Sequence, residues 1–213
     1  MNRLICSLCF AIVFCSTTML FAQNGKSTDT YYQTSEVQPV MANYEADKGI
    51  LTRFYFIINS PERRERLKKL TNDYRKQLEQ LAFDKMKTSG KVDYILFKRN
   101  LDNELRALDL EEKEYKAIYK YVSFGDPIYD LEKIRRRGRV MSGSEVVDKL
   151  SAMQQQMQSV VNELIAENGL LDMPLAIRAE ATVNGLRNAL RSMYEFYNGY
   201  DPQFTKLVPA PYA

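Results

Sequence analysis

Between Tyr94 and Val122 apolar side chains return every three or four residues, at Tyr94, Phe97, Leu101, Leu105, Leu108, Tyr115, Tyr119 and Val122. That spacing stacks them on one side of an α-helix, and so long an apolar stripe must lie against other helices. The same period continues on both flanks. Leu67, Leu70, Tyr74, Leu78 and Leu81 make a second stripe, and Val146, Leu150, Met153, Met157, Val160 and Leu164 a third. Leu175, Ala179, Leu186, Leu190, Met193 and Tyr197 make a fourth, and no sustained strand alternation occurs from Tyr44 onward. The expectation is an all-α fold, a bundle or array of about five to six helices with coiled-coil-like seams.

Turn and cap residues punctuate the stripes. A first short helix is expected over 44–57. Ser60 then offers a capping hydroxyl ahead of Pro61, which suits the first helical position because its missing N–H has no intrahelical partner there. Gly125-Asp126-Pro127 ends the long helix and starts a short one reaching about Arg137, and Gly138 and Gly143 bound a loop. Ser142 and Glu145 have capping-box spacing. Asn168-Gly169 reads as a stop, Asp172 and Pro174 open the last long helix, and Asn198-Gly199 closes it. The tail, DPQFTKLVPAPYA, holds three prolines and is expected to be extended or turned. Its Phe204, Leu207, Val208 and Tyr212 then need a following helix to cover them; uncovered, they favour self-association.

Ahead of the helices, Arg3 precedes an apolar run from Leu4 to Phe21 and the small residue Ala22. This pattern is a secretory signal peptide over 1–22, cleaved after Ala22, with export by the Sec route to the periplasm or the exterior. A single membrane anchor is the competing reading, weakened by the run's shortness and by Ser16, Thr17 and Thr18. A lipid anchor on Cys15 would need a small residue where Phe14 stands. Residues 23–42 are polar and read as a flexible mature N-terminus, and 43–213 as one helical domain with no stable membrane span after cleavage.

The chain has no histidine, and Cys6, Cys9 and Cys15 all lie within the signal peptide. The mature chain therefore lacks the ligands for nitrogen- or sulfur-held zinc, the base of a histidine triad, a reactive thiolate and a haem histidine. Phosphate-loop and dinucleotide fingerprints are also missing. No catalytic residue, cofactor-binding residue or metal ligand is assigned. A net charge of +3 from 30 bases and 27 acids does not mark a nucleic-acid binder.

The acidic row Asp109, Glu111, Glu112 and Glu114 reads as a solvated face, with acid–base work or a hard cation as the sharper alternative. Glu112 interrupts the apolar stripe, so it marks a boundary between packing layers or meets a buried arginine. The strongest charged feature is Lys133, Arg135, Arg136, Arg137 and Arg139. Its four arginines are candidate contacts for a carboxylate or another anion; the plainer reading is surface ion pairing with Asp130 and Glu132. The aromatic groups Phe54, Tyr55, Phe56 and Tyr194, Phe196, Tyr197, Tyr200, Phe204, Tyr212 read as packing rather than a sugar or peptide groove.

Four segments carry a family resemblance: RFYFIINSPERRERL, KVDYILFKRNLDNEL, FGDPIYDLEKIRRRG and MYEFYNGYDPQFTKLVPAPY. In this order they resemble the bacterial family catalogued as domain of unknown function eight-eight-five, and they span about 44–212. The resemblance implies a mostly helical, often exported protein similar to zinc metallopeptidases of the carboxypeptidase or oligopeptidase kind. The family's metal motif begins His-Glu and lies downstream of the matched region. No metal or catalytic residue is therefore carried over, and zinc would be held by that downstream region. The family often has aromatic residues after its Phe-Thr pair, where this chain has Lys206 and Leu207. The resemblance thus implies the N-terminal helical region of an exported metallopeptidase-like protein, not catalytic by itself, with the downstream region as its partner. A self-sufficient helical binding or scaffold module of the cell envelope is the alternative of a different class, and a carboxylate-based enzyme is the most distant reading.

Overall fold

The computed structural model describes residues 35–166 and 171–213. The expected signal peptide and cleavage after Ala22, and the expected Asn168-Gly169 stop, lie outside the described residues.

Every regular element among the described residues is helical. The long helices are α1 (Gln38–Phe54), α2 (Pro61–Glu79), α3 (Thr88–Val122), α4 (Asp126–Arg136), α5 (Gly143–Ala166) and α6 (Met173–Tyr197). Two short helices, α7 (Pro202–Leu207) and α8 (Pro209–Tyr212), follow, and 3-10 turns occupy Phe83–Lys85 and Ser123–Gly125. The all-α array predicted from the stripes is the observed architecture, and no described helix is long and apolar enough to cross a membrane.

The caps explain most boundaries. Ser60 Oγ accepts the Arg63 N–H at 3.2 Å, with Pro61 in the first turn of α2, as the sequence predicts. α1 starts earlier than the expected Tyr44. Val37 and Val40 are buried in a first core with Tyr44, Leu78, Met86, Phe97 and Leu101, so residues 37–42 belong to the fold rather than to a flexible leader. Along α3 the expected Phe97, Leu101, Leu108, Tyr115 and Val122 are buried. Ile118 joins them unpredicted, and Tyr119 is exposed.

A second core gathers Leu131, Met141, Val146, Leu150, Met193, Phe204 and Val208 from α4 through the tail. The turn into α4 closes tightly on α6. A Cβ added at Gly125 would sit 2.3 Å from Leu186 Cδ1, so any side chain there would have to displace the buried Leu186.

The tail corrects the expectation of an extended segment. Pro202 lies in the first turn of α7, behind Asp201, whose carboxylate accepts the Phe204 N–H at 3.0 Å. Pro209 likewise lies in the first turn of α8, without a side-chain cap. A proline in a first turn removes no helical hydrogen bond, so these prolines start helices instead of preventing them. Phe204 and Val208 are fully buried. Tyr212 stacks on Tyr194 with ring centroids 3.9 Å apart. The tail is therefore covered by the chain's own helices; Leu207 alone of its four large apolar residues is exposed.

Candidate functional site: two ion-pair clusters around the 55–60 loop

The basic last turn of α4 does not present four free arginines. Arg135 grips Glu132 with two parallel bonds, Nε at 2.8 Å and Nη2 at 2.7 Å. Arg136 reaches across the chain to Glu62 on α2 at 2.7 Å, and its Nε lies 3.8 Å from Glu132. Glu132 is buried, so these are not the surface pairs of the plainer reading. Burying a carboxylate is tolerated because both its oxygens face guanidinium. Aromatic rings complete the cluster. Arg136 lies 4.5 Å from the Tyr55 ring centroid and 5.1 Å from that of Phe54. Arg135 sits between Phe56 at 5.9 Å and Phe196 at 5.7 Å. A cleft of about 180 Å³ lies alongside, between the 55–61 segment and α4.

Arg137 and Arg139 are separate from this cluster. α4 ends at Arg136, Gly138 turns the chain at φ 62°, and both arginines are exposed, with no acidic partner among the described residues. The arginine run thus divides in two. Glu132 was among the acids expected nearby; Glu62 was not, because nothing local in the sequence joins it to α4.

A second cluster holds the inner side of the same loop. Asn59 is buried with φ 68°, a left-handed conformation that asparagine tolerates better than most residues. Its carbonyl accepts Arg64 Nη1 at 2.7 Å, its Nδ2 donates to Thr182 Oγ1 at 3.2 Å, and its Oδ1 accepts Arg178 Nη1 at 3.2 Å. Arg64, also buried, donates to Glu111 at 3.0 Å and lies 4.6 Å from the Tyr115 ring centroid. One asparagine therefore ties α2 to α6, and Arg64 ties both to α3.

The acidic row on α3 is a solvated face only in part: Asp109 is exposed, Glu111, Glu112 and Glu114 are half-buried, and all four are paired. Asp109 and Glu112 both bind Lys68 at 2.6 Å, Glu112 binds Lys116 at 2.5 Å, Glu111 binds Arg64, and Glu114 pairs with Arg178. The buried arginine expected for Glu112 belongs to Glu111; Glu112 meets two lysines instead. These lysines, with Arg64, Tyr115 and Tyr119, line a cleft of about 470 Å³ across α2 and α3. No group of three or more His, Cys, Asp or Glu among the described residues is placed to hold a metal ion.

Lys116 first, and then Lys68, hold the Glu112 carboxyl down to about 2, from an ordinary value of 4.5. A depressed carboxylate contributes stability that is fully present above its unfolded value and is lost as pH falls through its folded value. Glu112→Gln should therefore have a lower melting midpoint than the parent above pH 4.5, with the two midpoints converging as pH falls toward 2. Paired thermal melts across that window check this; a difference that persists unchanged at pH 2 contradicts it.

The chemistry available here is mutual neutralisation. Glu132 and Arg64 each face an opposite charge supplied by the fold, and the pairs join helices remote in sequence. Comparison with family models, characterised proteins and solved structures finds no match.

Proposed function

We propose that this chain is the N-terminal helical region of an exported, metallopeptidase-like protein, contributing architecture rather than catalysis. The observation that carries the reading is where the resembling segments meet. Glu62 from the first of them binds Arg136 from the third, and Arg135 of the third lies against Phe196 of the fourth. Residues that carry the resemblance thus hold one another, which supports a role in positioning helices. The lack of histidine and of mature cysteine points the same way, because zinc chemistry would then depend on ligands from elsewhere. In the longer protein these helices would cover part of the peptidase half and help shape its cleft.

A second reading, a self-sufficient binding or scaffold module of the cell envelope, is favoured by the tail. Phe204 and Val208 of the tail are buried by the chain's own helices.

Two measurements test the proposal. Purified mature chain, loaded with zinc and washed with chelator, is expected to retain no stoichiometric metal and to hydrolyse no peptide; turnover by the chain alone would overturn the architectural role. Sequencing of the DNA past the Ala213 codon is expected to show a continuing frame with a His-Glu motif, whereas an immediate stop supports the module. Exported protein should begin at Gln23.

A further inference from the structure

α4 ends in a turn of defined geometry. The Gly138 N–H donates to the Arg135 carbonyl at 3.0 Å, the Arg139 N–H donates to the Ile134 carbonyl at 3.2 Å, and Gly138 has φ 62°. Two such bonds around a left-handed glycine make a Schellman cap. Just beyond it Met141 is buried in the second core, so the turn is held at both ends. A cap of this kind frequently puts an apolar residue at the position of Arg139, packed on the last helical turn. Here that residue is charged and exposed, and the aliphatic side chain comes one step later, where Val140 is 96% exposed. An ordered turn thus holds a valine out in water beside Arg137 and Arg139, a placement that forgoes apolar burial.

The surroundings have the same mixed character. Arg135 lies against the exposed rings of Phe56 and Phe196, and Arg136 against that of Phe54, so the C-terminal ends of α1, α4 and α6 meet here. Arg135 and Arg136 are spent on Glu132 and Glu62. Arg53, Lys133, Arg137 and Arg139 enter no ion pair among the described residues, and Asp130 and Glu195 are the exposed acids set against them. The charge left over at this end is positive.

We propose that this end of the molecule is a peripheral docking surface for an anionic lipid bilayer. Arg137 and Arg139 meet lipid phosphates, Val140 enters the headgroup layer, and the Phe54, Phe56 and Phe196 rings lie at the interface. Surplus positive charge matches an anionic membrane surface. Aromatic rings and arginines with apolar stems suit the boundary between headgroups and acyl chains, where one end of a side chain is wet and the other is not. An acidic protein would match the charge, but it would also need a receiving groove for its own side chains. The cleft beside Arg136 measures about 180 Å³, below the size of ordinary ligand pockets. A fluid lipid layer needs no groove and moulds itself around a protruding valine. The surface depends neither on the metallopeptidase-like reading nor on polypeptide beyond Ala213.

Co-sedimentation with vesicles tests this. The chain from Gln23 keeps every described helix and lacks the apolar run of 4–21, and parent and variants share that start. The probes are vesicles of phosphatidylcholine alone and of equal parts phosphatidylcholine and phosphatidylglycerol. The parent is expected to sediment with the anionic vesicles and to stay in solution with the neutral ones. Each arginine near such a surface strengthens binding about fivefold, so Arg137→Ala combined with Arg139→Ala should lower the partition coefficient about 25-fold. Val140→Ser leaves every charge in place and should lower it about tenfold, by removing the inserted side chain. Thermal melts of both variants should match the parent's, because these side chains are exposed. No sedimentation with the anionic vesicles, equal sedimentation with both kinds, or parent-like binding by either variant would overturn the proposal. Soluble polyglutamate that binds the chain as tightly as the anionic vesicles do would overturn it as well, by making an acidic protein the occupant. Neither zinc nor peptide turnover enters the measurement, so its outcome stands apart from that of the function reading.

Discussion

Replacing Glu132 with alanine is expected to lower the unfolding free energy by about 3 kcal/mol, the low end for removing one partner of a buried ion pair. The carboxylate is 2% exposed and takes both bonds from Arg135. Its loss strands that guanidinium between Phe56 and Phe196. The cost stays at the low end because Arg135 is a quarter exposed and can turn partly to water, while Arg136 keeps Glu62. Glu132→Gln preserves the shape and one acceptor oxygen and should cost less. Urea unfolding of the three proteins checks the order. A loss below about 1 kcal/mol for the alanine variant would mean that the cluster behaves as an exposed pair.

Phe204→Ala should cost at least as much, about 3–5 kcal/mol, from lost apolar burial plus the cavity left behind. Phe204 is fully buried, with its ring against those of Tyr194 and Tyr197. A chain ending at Gly199 loses Val208 and the Tyr212 stack as well, and should no longer unfold in one cooperative step. Its first core would melt apart from the exposed remains of the second. Circular dichroism melts of the parent, the point variant and the shortened chain test this. A shortened chain as stable as the parent would show that the tail is only laid on the surface.

The helices were legible in the sequence because a 3.6-residue period written over several turns outweighs local propensity. Ser60-Pro61 was legible because cap and proline sit side by side. Asp201-Pro202 has the same grammar, hidden by its three-proline context, because a proline's position relative to a cap, not the number of prolines, decides whether a helix starts. Register within the long helix was less secure. α3 meets α2 along one side and α6 along another, so Ile118 is buried and Tyr119 exposed, although both fit an apolar row. The partners of the charged residues were least legible. Arg136–Glu62 and Asn59–Thr182 span 74 and 123 residues, and the neighbours of a residue in sequence carry no trace of such a partner. Asn59 did leave one signal, an asparagine directly before a cap serine, where a left-handed residue fits a sharp entry into a helix.

The first and second of the four buried clusters among the described residues differ in how much chain each needs. The first is assembled from Val37 to Leu101, one unbroken stretch of polypeptide. The second draws on Leu131 at one end and Val208 at the other. Contacts between near neighbours in sequence close quickly, and domains generally fold N-terminal part first during synthesis. The first core can therefore be complete while the chain is still growing, whereas the second cannot close until the last residues are made. A polypeptide stalled before Phe204 would carry a finished half and an unfinished one, with Met141, Val146, Leu150 and Met193 open to whatever chaperone or protease arrives first.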